Sequence, residues 1–147
     1  MSEVLTEFGG ETVFLSKYDT TGCTACYYVN REIGLFLKKP DRFLEYDVVQ
    51  REIYILGILQ RFDWCPRLLQ YDEHMLMTGF IDGESITSHN LPFDYNDQMH
   101  RILNDLLDVN VDHNDIKPDD ILVCKGKLYL TDFGWCSVKG DYSCGVG

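Results

Sequence analysis

The apolar residues of this chain switch repeatedly between a two-residue and a 3.6-residue spacing, and that switching restricts it to a mixed α+β fold. Thr12 to Leu15, Ala25 to Val29 and Ile33 to Leu37 are rich in β-branched and aromatic residues. Turn-like Asp19 to Gly22 and Asn30-Arg31 separate them, which predicts a three-stranded antiparallel meander. From about Tyr46 to Gln60, Val49, Ile53, Leu56 and Leu59 repeat at helical spacing, with Glu52 on the edge of the apolar face. Leu68 to Tyr71 and His74 to Phe80 read as two further strands around Asp72-Glu73, completing a five-stranded sheet. After a turn-rich stretch from Asp82 to Asp94, a second helix capped by Asp94 or Asn96 carries Met99, Ile102, Leu103, Leu106 and Leu107 and ends near Val109. Ile121 to Val123 and Leu128 to Thr131 then pair across a Lys125-Gly126 turn.

A chain of 147 residues fits one domain, and 45% hydrophobic with 25% charged residues is a globular composition. The formal charge of -11 repels nucleic-acid phosphates and anionic membrane surfaces, so neither is an expected partner. No apolar run reaches the length of a membrane span, and Met1 opens into an acidic stretch rather than a signal peptide, which points to the cytoplasm. The six cysteines are irregularly spaced and read as reduced thiols. Cys23 and Cys26 form one CxxC, half of a zinc site at most, and the expectation is loop and core thiols.

The chemistry-bearing segment is HNDIKPDDILV, from His113 to Val123, followed after a short hairpin by TDFG from Thr131 to Gly134. These two stretches closely resemble the protein-kinase catalytic loop, H-R-D-L-K-P-x-N, and the metal-binding D-F-G, in the same order and at a typical separation. The resemblance implies an ATP- and magnesium-dependent phosphotransferase. In it Asp115 orients the attacking hydroxyl and accepts its proton, and Lys117 neutralises the transferring phosphoryl group. Asp132 holds magnesium, and Asp120 stands where the family usually has asparagine as the second metal ligand. A second carboxylate adds negative charge beside the triphosphate, so dependence on magnesium or manganese should be heavy.

Upstream, GLFLKKP resembles the third strand of the kinase small lobe, whose lysine meets the α and β phosphates and pairs with a glutamate on the next helix. Lys38 and Glu52 take those roles, with Lys39 as a fallback. A competing register aligns YYVNR with that strand and leaves Asn30 or Arg31 at the lysine position. Under the first register Gly22, Thr24, Tyr27 and Val29 occupy the spaced positions of the glycine-rich loop. Under the second, Gly9-Gly10 would serve. MLMTGFIDGES, from Met75 to Ser85, resembles the segment joining the lobes, where backbone groups of Gly79 and Ile81 would bond the adenine edge and Thr78 would guard the back of the pocket. Its FIDGES wording is closer to small-molecule and atypical kinases.

Thirteen residues follow Gly134, whereas kinases continue into an activation segment and further helices. The resemblance is thus to a single minimal domain, with residues 1–81 as small lobe and 82–147 as a heavily reduced large lobe. It is similar to tiny kinase-like proteins of large viruses and bacteriophages. The alternatives are a kinase mimic that grips nucleotide or a partner kinase without turnover, and a bare scaffold with an acidic surface. The missing helices would uncover part of the Met99 to Leu107 helix. That implies a homodimer or a partner protein, unless the tail with Trp135, Val138 and Tyr142 folds back over it.

Overall fold

The computed structural model describes residues 3–17, 25–40, 46–114, 116–134 and 136–139. Strands β1 (Glu3–Phe8), β2 (Glu11–Lys17), β3 (Ala25–Asn30), β4 (Leu35–Pro40), β5 (Leu68–Tyr71) and β6 (Leu76–Gly79) form one sheet in the order β1-β2-β3-β4-β6-β5. Every neighbouring pair is antiparallel. The meander and the second strand pair lie where the apolar alternation puts them, but the sheet has six strands instead of the expected five. The extra strand is β1, whose adjacent Val4 and Leu5 break the alternation. Its hairpin with β2 turns on Gly9 (φ 61°) and Gly10 (φ 84°), the left-handed pair that a two-residue hairpin needs. The sheet curls until its two edges meet, with Gln70 Nε2 on β5 donating to the Glu7 carbonyl on β1 at 3.0 Å.

Helix α1 (Tyr46–Leu59) connects β4 to β5 and packs beneath the sheet. Because side chains alternate along a strand, the sheet has two distinct faces. One carries Leu15, Leu35, Leu37 and Met77, which form a small buried cluster with Val13, Tyr28 and Met75 at its margin. The other carries Lys38, Leu76 and Thr78, and Leu76 joins the larger core with Val49, Ile53, Leu56 and Leu59 of α1.

Two-residue β7 (Glu84–Ser85) leads to helix α2 (Tyr95–Asp108) and β8 (Val111–Asp112). The chain then forms the β9 (Ile121–Cys124) and β10 (Lys127–Leu130) hairpin, and β11 (Ser137–Val138) returns to pair with β8. Asp94 is the N-cap of α2, although its carboxylate bonds the Gln98 side chain rather than the expected backbone N–H. Gln98 in turn accepts from the Leu128 N–H at 2.8 Å and donates to the Gly126 carbonyl at 2.9 Å, fastening the helix to the hairpin. Ile102 and Leu106 point into the core, whereas Leu103 and Leu107 are exposed, Leu107 by 70%. Leu103 and Leu107 are thus the large apolar residues that this helix leaves at the surface. Val138 packs against the core, and Trp135 and Tyr142 lie outside the described residues. Among the described residues no helix is long and apolar enough to cross a membrane.

Candidate functional site

Lys38 lies on β4 between Tyr27 of β3 and Leu76 of β6, facing α1. Lys39, the next residue, is exposed, as the strand's alternation requires. Nearly two turns into α1, Glu52 sits on the stripe that carries Val49 and Ile53, so the packing that buries the stripe also carries a carboxylate under the sheet. Lys38 Nζ and Glu52 Oε1 meet at 2.5 Å, with both residues under a tenth exposed. Burial by itself would lower the Lys38 pKa. The negative charge of Glu52 first, then the electrostatic influence of Tyr27 and of Asp132, and the hydrogen bond to Glu52 overcome that effect and hold the ammonium above the ordinary lysine value of 10.5. A cation this firmly protonated is suited to an anion.

The other Glu52 oxygen, Oε2, accepts the Phe133 backbone N–H at 3.2 Å. That bond fixes the turn bearing Asp132, whose Oδ1 stands 4.0 Å from Lys38 Nζ with its side chain 40% exposed. Asp132 has φ 65°, a left-handed conformation that aspartate adopts at some cost and that the surrounding bonds must maintain. Phe133 is buried, and its ring meets the buried His113 ring edge-on at 5.6 Å. His113 Nε2 lies 3.1 Å from the Thr131 carbonyl.

Asp120 ends a 3-10 turn, Pro118–Asp120, and is 4% exposed. Its carbonyl accepts the Thr131 N–H at 2.8 Å and the Thr131 hydroxyl at 3.0 Å, joining the two aspartate-bearing segments. Lys117 is exposed, extended in backbone, and its carbonyl accepts the Asp120 N–H at 2.9 Å. Thr78 is buried on β6, and its hydroxyl donates to the Gly79 carbonyl at 3.2 Å. Gly79 ends that strand, two residues before half-buried Ile81. Asp115 and Gly22 lie outside the described residues. The residues named by the competing register do other work. Asn30 closes the β3–β4 turn by donating to the Phe14 carbonyl and accepting the Ile33 N–H, and Arg31 pairs with Asp82.

Sequence reasoning missed three supports of this arrangement. Arg51 Nη1 donates to the Gly134 carbonyl at 3.1 Å, beside the bond from its neighbour Glu52 to Phe133. A Cβ on Gly134 would lie 2.6 Å from Val48 Cγ1, so α1 and the turn approach to a distance only glycine allows. A row of rings, Tyr27, Phe36 and Phe80, lines the Lys38 face of the sheet. The apolar run through β4 signals a buried strand but does not say which side chains meet a ligand.

The remaining candidates are chemically quiet. Cys65, Cys124 and Cys136 are free thiols, and burial pushes Cys65 up to about 12 and raises Cys136 as well, so neither buried thiol is a nucleophile at neutral pH. Among the described residues no group of three or more His, Cys, Asp or Glu is placed to hold a metal ion. A surface cleft of about 460 Å³ lined by Gln60, Phe62, Arg67, Gly79 and Tyr129 includes none of Lys38, Glu52, Asp120 or Asp132. No protein-family model matches this chain, and the curated proteins contain no match to it.

Proposed function

We propose that this chain is a reduced protein-kinase-like phosphotransferase that binds ATP with magnesium and transfers phosphate to a hydroxyl acceptor. The observation that carries the reading is the placement of Lys38 Nζ, 2.5 Å from buried Glu52 and 4.0 Å from half-exposed Asp132. A structural ion pair needs no third charge at the solvent edge, whereas a lysine shared between a buried and an exposed carboxylate is arranged to receive phosphate oxygens. The strand order supports the same reading: a meander ending in the lysine strand, then the glutamate helix, then two strands that return to the lysine strand's edge.

In this reading Glu52 orients Lys38 toward the α and β phosphates, and Asp115 orients the acceptor hydroxyl and takes its proton. Lys117 balances charge on the group in transfer. Asp120 and Asp132 are hard oxygen donors on segments joined through Thr131, and magnesium takes one or two carboxylates together with phosphates and water, so the pair fits a cation that arrives with the nucleotide. Bound there, the ion would neutralise charge that develops on the phosphates.

The test is a thermal-shift titration with ATP and magnesium, followed by phosphate release and transfer assays. Ligand at a hundred times its Kd should add about 2.7 kcal/mol of stability, and Asp132→Ala should abolish that gain. Asp115→Asn should keep binding and lose turnover by roughly two to four orders of magnitude. Equal turnover in that variant rejects the role, and binding without chemistry in the unaltered protein identifies a nucleotide-gripping mimic instead.

A further inference from the structure

Acidic residues outnumber basic ones in this chain by 24 to 13, yet the surface cleft of about 460 Å³ bordered by the α1–β5 connection, the end of β6 and β10 inverts that balance. Its charged lining consists of Arg61, Arg67 and Asp63. Both Asp63 oxygens are taken by cations from outside the cleft, one by Arg101 of α2 and the other by Lys127 of β10 at 3.3 Å. Among the described residues Arg67 pairs with no carboxylate. Its Nη1 donates to the Gln60 carbonyl at 2.5 Å, and its Nη2 donates to the carbonyls of Phe62 at 2.5 Å and Cys65 at 2.9 Å. Arg61, Arg67, Arg101 and Lys127 thus answer a single carboxylate in the lining.

The wall is set in advance. Arg67 gathers three carbonyls of the connection, Gln60 donates to the Pro66 carbonyl at 2.9 Å and accepts the Leu68 N–H at 2.9 Å, and Phe62 stacks on buried Trp64 at 5.4 Å. A wall already ordered costs an incoming ligand little entropy. With those bonds made, the lining polar side chains that have no hydrogen bond among the described residues are Arg61 and Tyr129. Arg61 is exposed and lies 5.5 Å over the Phe62 ring. A guanidinium can only donate, and a phenol O–H donates as well, so the pair calls for an acceptor, best a charged one. Phe62, Pro66 and Ile81 add apolar lining.

We infer that this cleft docks an acidic peptide segment of a partner protein, with a carboxylate on Arg61 and the Tyr129 hydroxyl and a neighbouring large apolar side chain against Phe62, Pro66 and Ile81. Apolar residues within the cleft and cations around it match the apolar centre and polar rim of a protein-docking site. At physiological salt, exposed charges farther than about 8 Å away are largely screened, so remote carboxylates count for little against a guanidinium in contact. The cleft contains none of Lys38, Glu52, Asp120 or Asp132, and the inference stands apart from the phosphotransferase reading.

Fluorescence anisotropy of the full chain with short dye-labelled peptides tests this. One peptide carries glutamate beside phenylalanine, a second has glutamine for the glutamate, and a third has alanine for the phenylalanine. The first should bind about tenfold more tightly than either of the others. Arg61→Ala should weaken it by about tenfold and Tyr129→Phe by about threefold. Arg61→Gln, which keeps a long side chain without the charge, should act like Arg61→Ala and serves if truncation impairs folding. Lys139→Ala, which removes an exposed cation that does not line the cleft, should leave the affinity unchanged. Equal binding of the glutamate and glutamine peptides overturns the inference, as does no binding at about millimolar peptide. Arg61 variants that bind as well as the unaltered chain, or Lys139→Ala weakening as much as Arg61→Ala, overturn it too. Displacement of the peptide by ATP with magnesium, or by phenylacetate at equal concentration, would give the cleft to a nucleotide or a small carboxylate instead. A dimer in light scattering that Arg61→Ala converts to monomer would give it to a second copy of this chain, and each of these results rejects the partner peptide.

Discussion

The two buried clusters are assembled from different kinds of neighbour. The cluster of Leu15, Leu35, Leu37 and Met77 belongs to the curled sheet and is formed almost wholly by strands adjacent in sequence or in hydrogen-bonded register. The larger core gathers α1, α2, the β9–β10 hairpin, Trp64 and Phe133, segments separated by up to more than half the chain. Trp64 shows how these are tied together, since its indole N–H donates to Asp105 on α2 at 2.8 Å while its carbonyl accepts the Leu130 N–H at 3.2 Å. The lesson lies in where chemistry sits. Lys38 belongs to the sheet, Glu52 and Asp132 to segments that help build the larger core, and the candidate site is the seam between the two.

The comparison predicts unequal costs for equal deletions. Leu56 is enclosed by the larger core, so Leu56→Ala should leave a cavity that cannot collapse and cost about 4 kcal/mol in urea unfolding. Leu15→Ala, in a small cluster on the face of the curled sheet opposite α1, where the sheet can close on the gap, should cost about 2 to 3 kcal/mol. Equal losses would show that the two clusters are equally rigid.

At the seam, Lys38→Met strands the buried Glu52 carboxylate and should cost about 3 kcal/mol, while Lys38→Met with Glu52→Leu should recover much of it. The sign of the pH dependence follows from the raised Lys38 pKa. The stabilisation is complete below the unfolded value of 10.5 and is lost as pH rises through the higher folded value, so the cost of Lys38→Met should be flat from pH 7 to 9 and shrink only in strong alkali. A smaller effect tests the contact between α1 and the Asp132 turn. Gly134→Ala places a methyl group against Val48 and should cost about 2 kcal/mol, and adding Val48→Ala should return part of it. The smallest is a gain: Lys125 has φ 52° in the β9–β10 turn, and Lys125→Asn should stabilise the chain by about 0.5 to 1 kcal/mol.

The same contrast explains what was legible in the sequence. Both helices and most strands announced themselves through period, because a strand or helix with one buried face must write that face into its residues. The strand β1 did not, as its two apolar neighbours obscured the alternation and only Gly9-Gly10 marked its hairpin. Within the site, the pairing of Lys38 with Glu52 was expected from the resemblance of GLFLKKP to a kinase strand, and only the place of Glu52 on the edge of an apolar helix face came from period. Arg51 on Gly134, the Val48 contact and the aromatic row did not follow, because each depends on how two separately patterned elements are set against one another. Periodicity reports which way a residue faces and not what it faces.

The bond from Gln70 to the Glu7 carbonyl has a consequence for how such chains behave in company. An unpaired outer strand offers its N–H and C=O groups to any extended segment that drifts past, which is how sheets recruit further strands and grow into fibrils. Here the two outer strands are turned toward each other and bridged by a side-chain amide, so each shields part of the other's ladder from strangers. One glutamine thereby withdraws the Glu7 carbonyl from what the β1 edge can offer another chain.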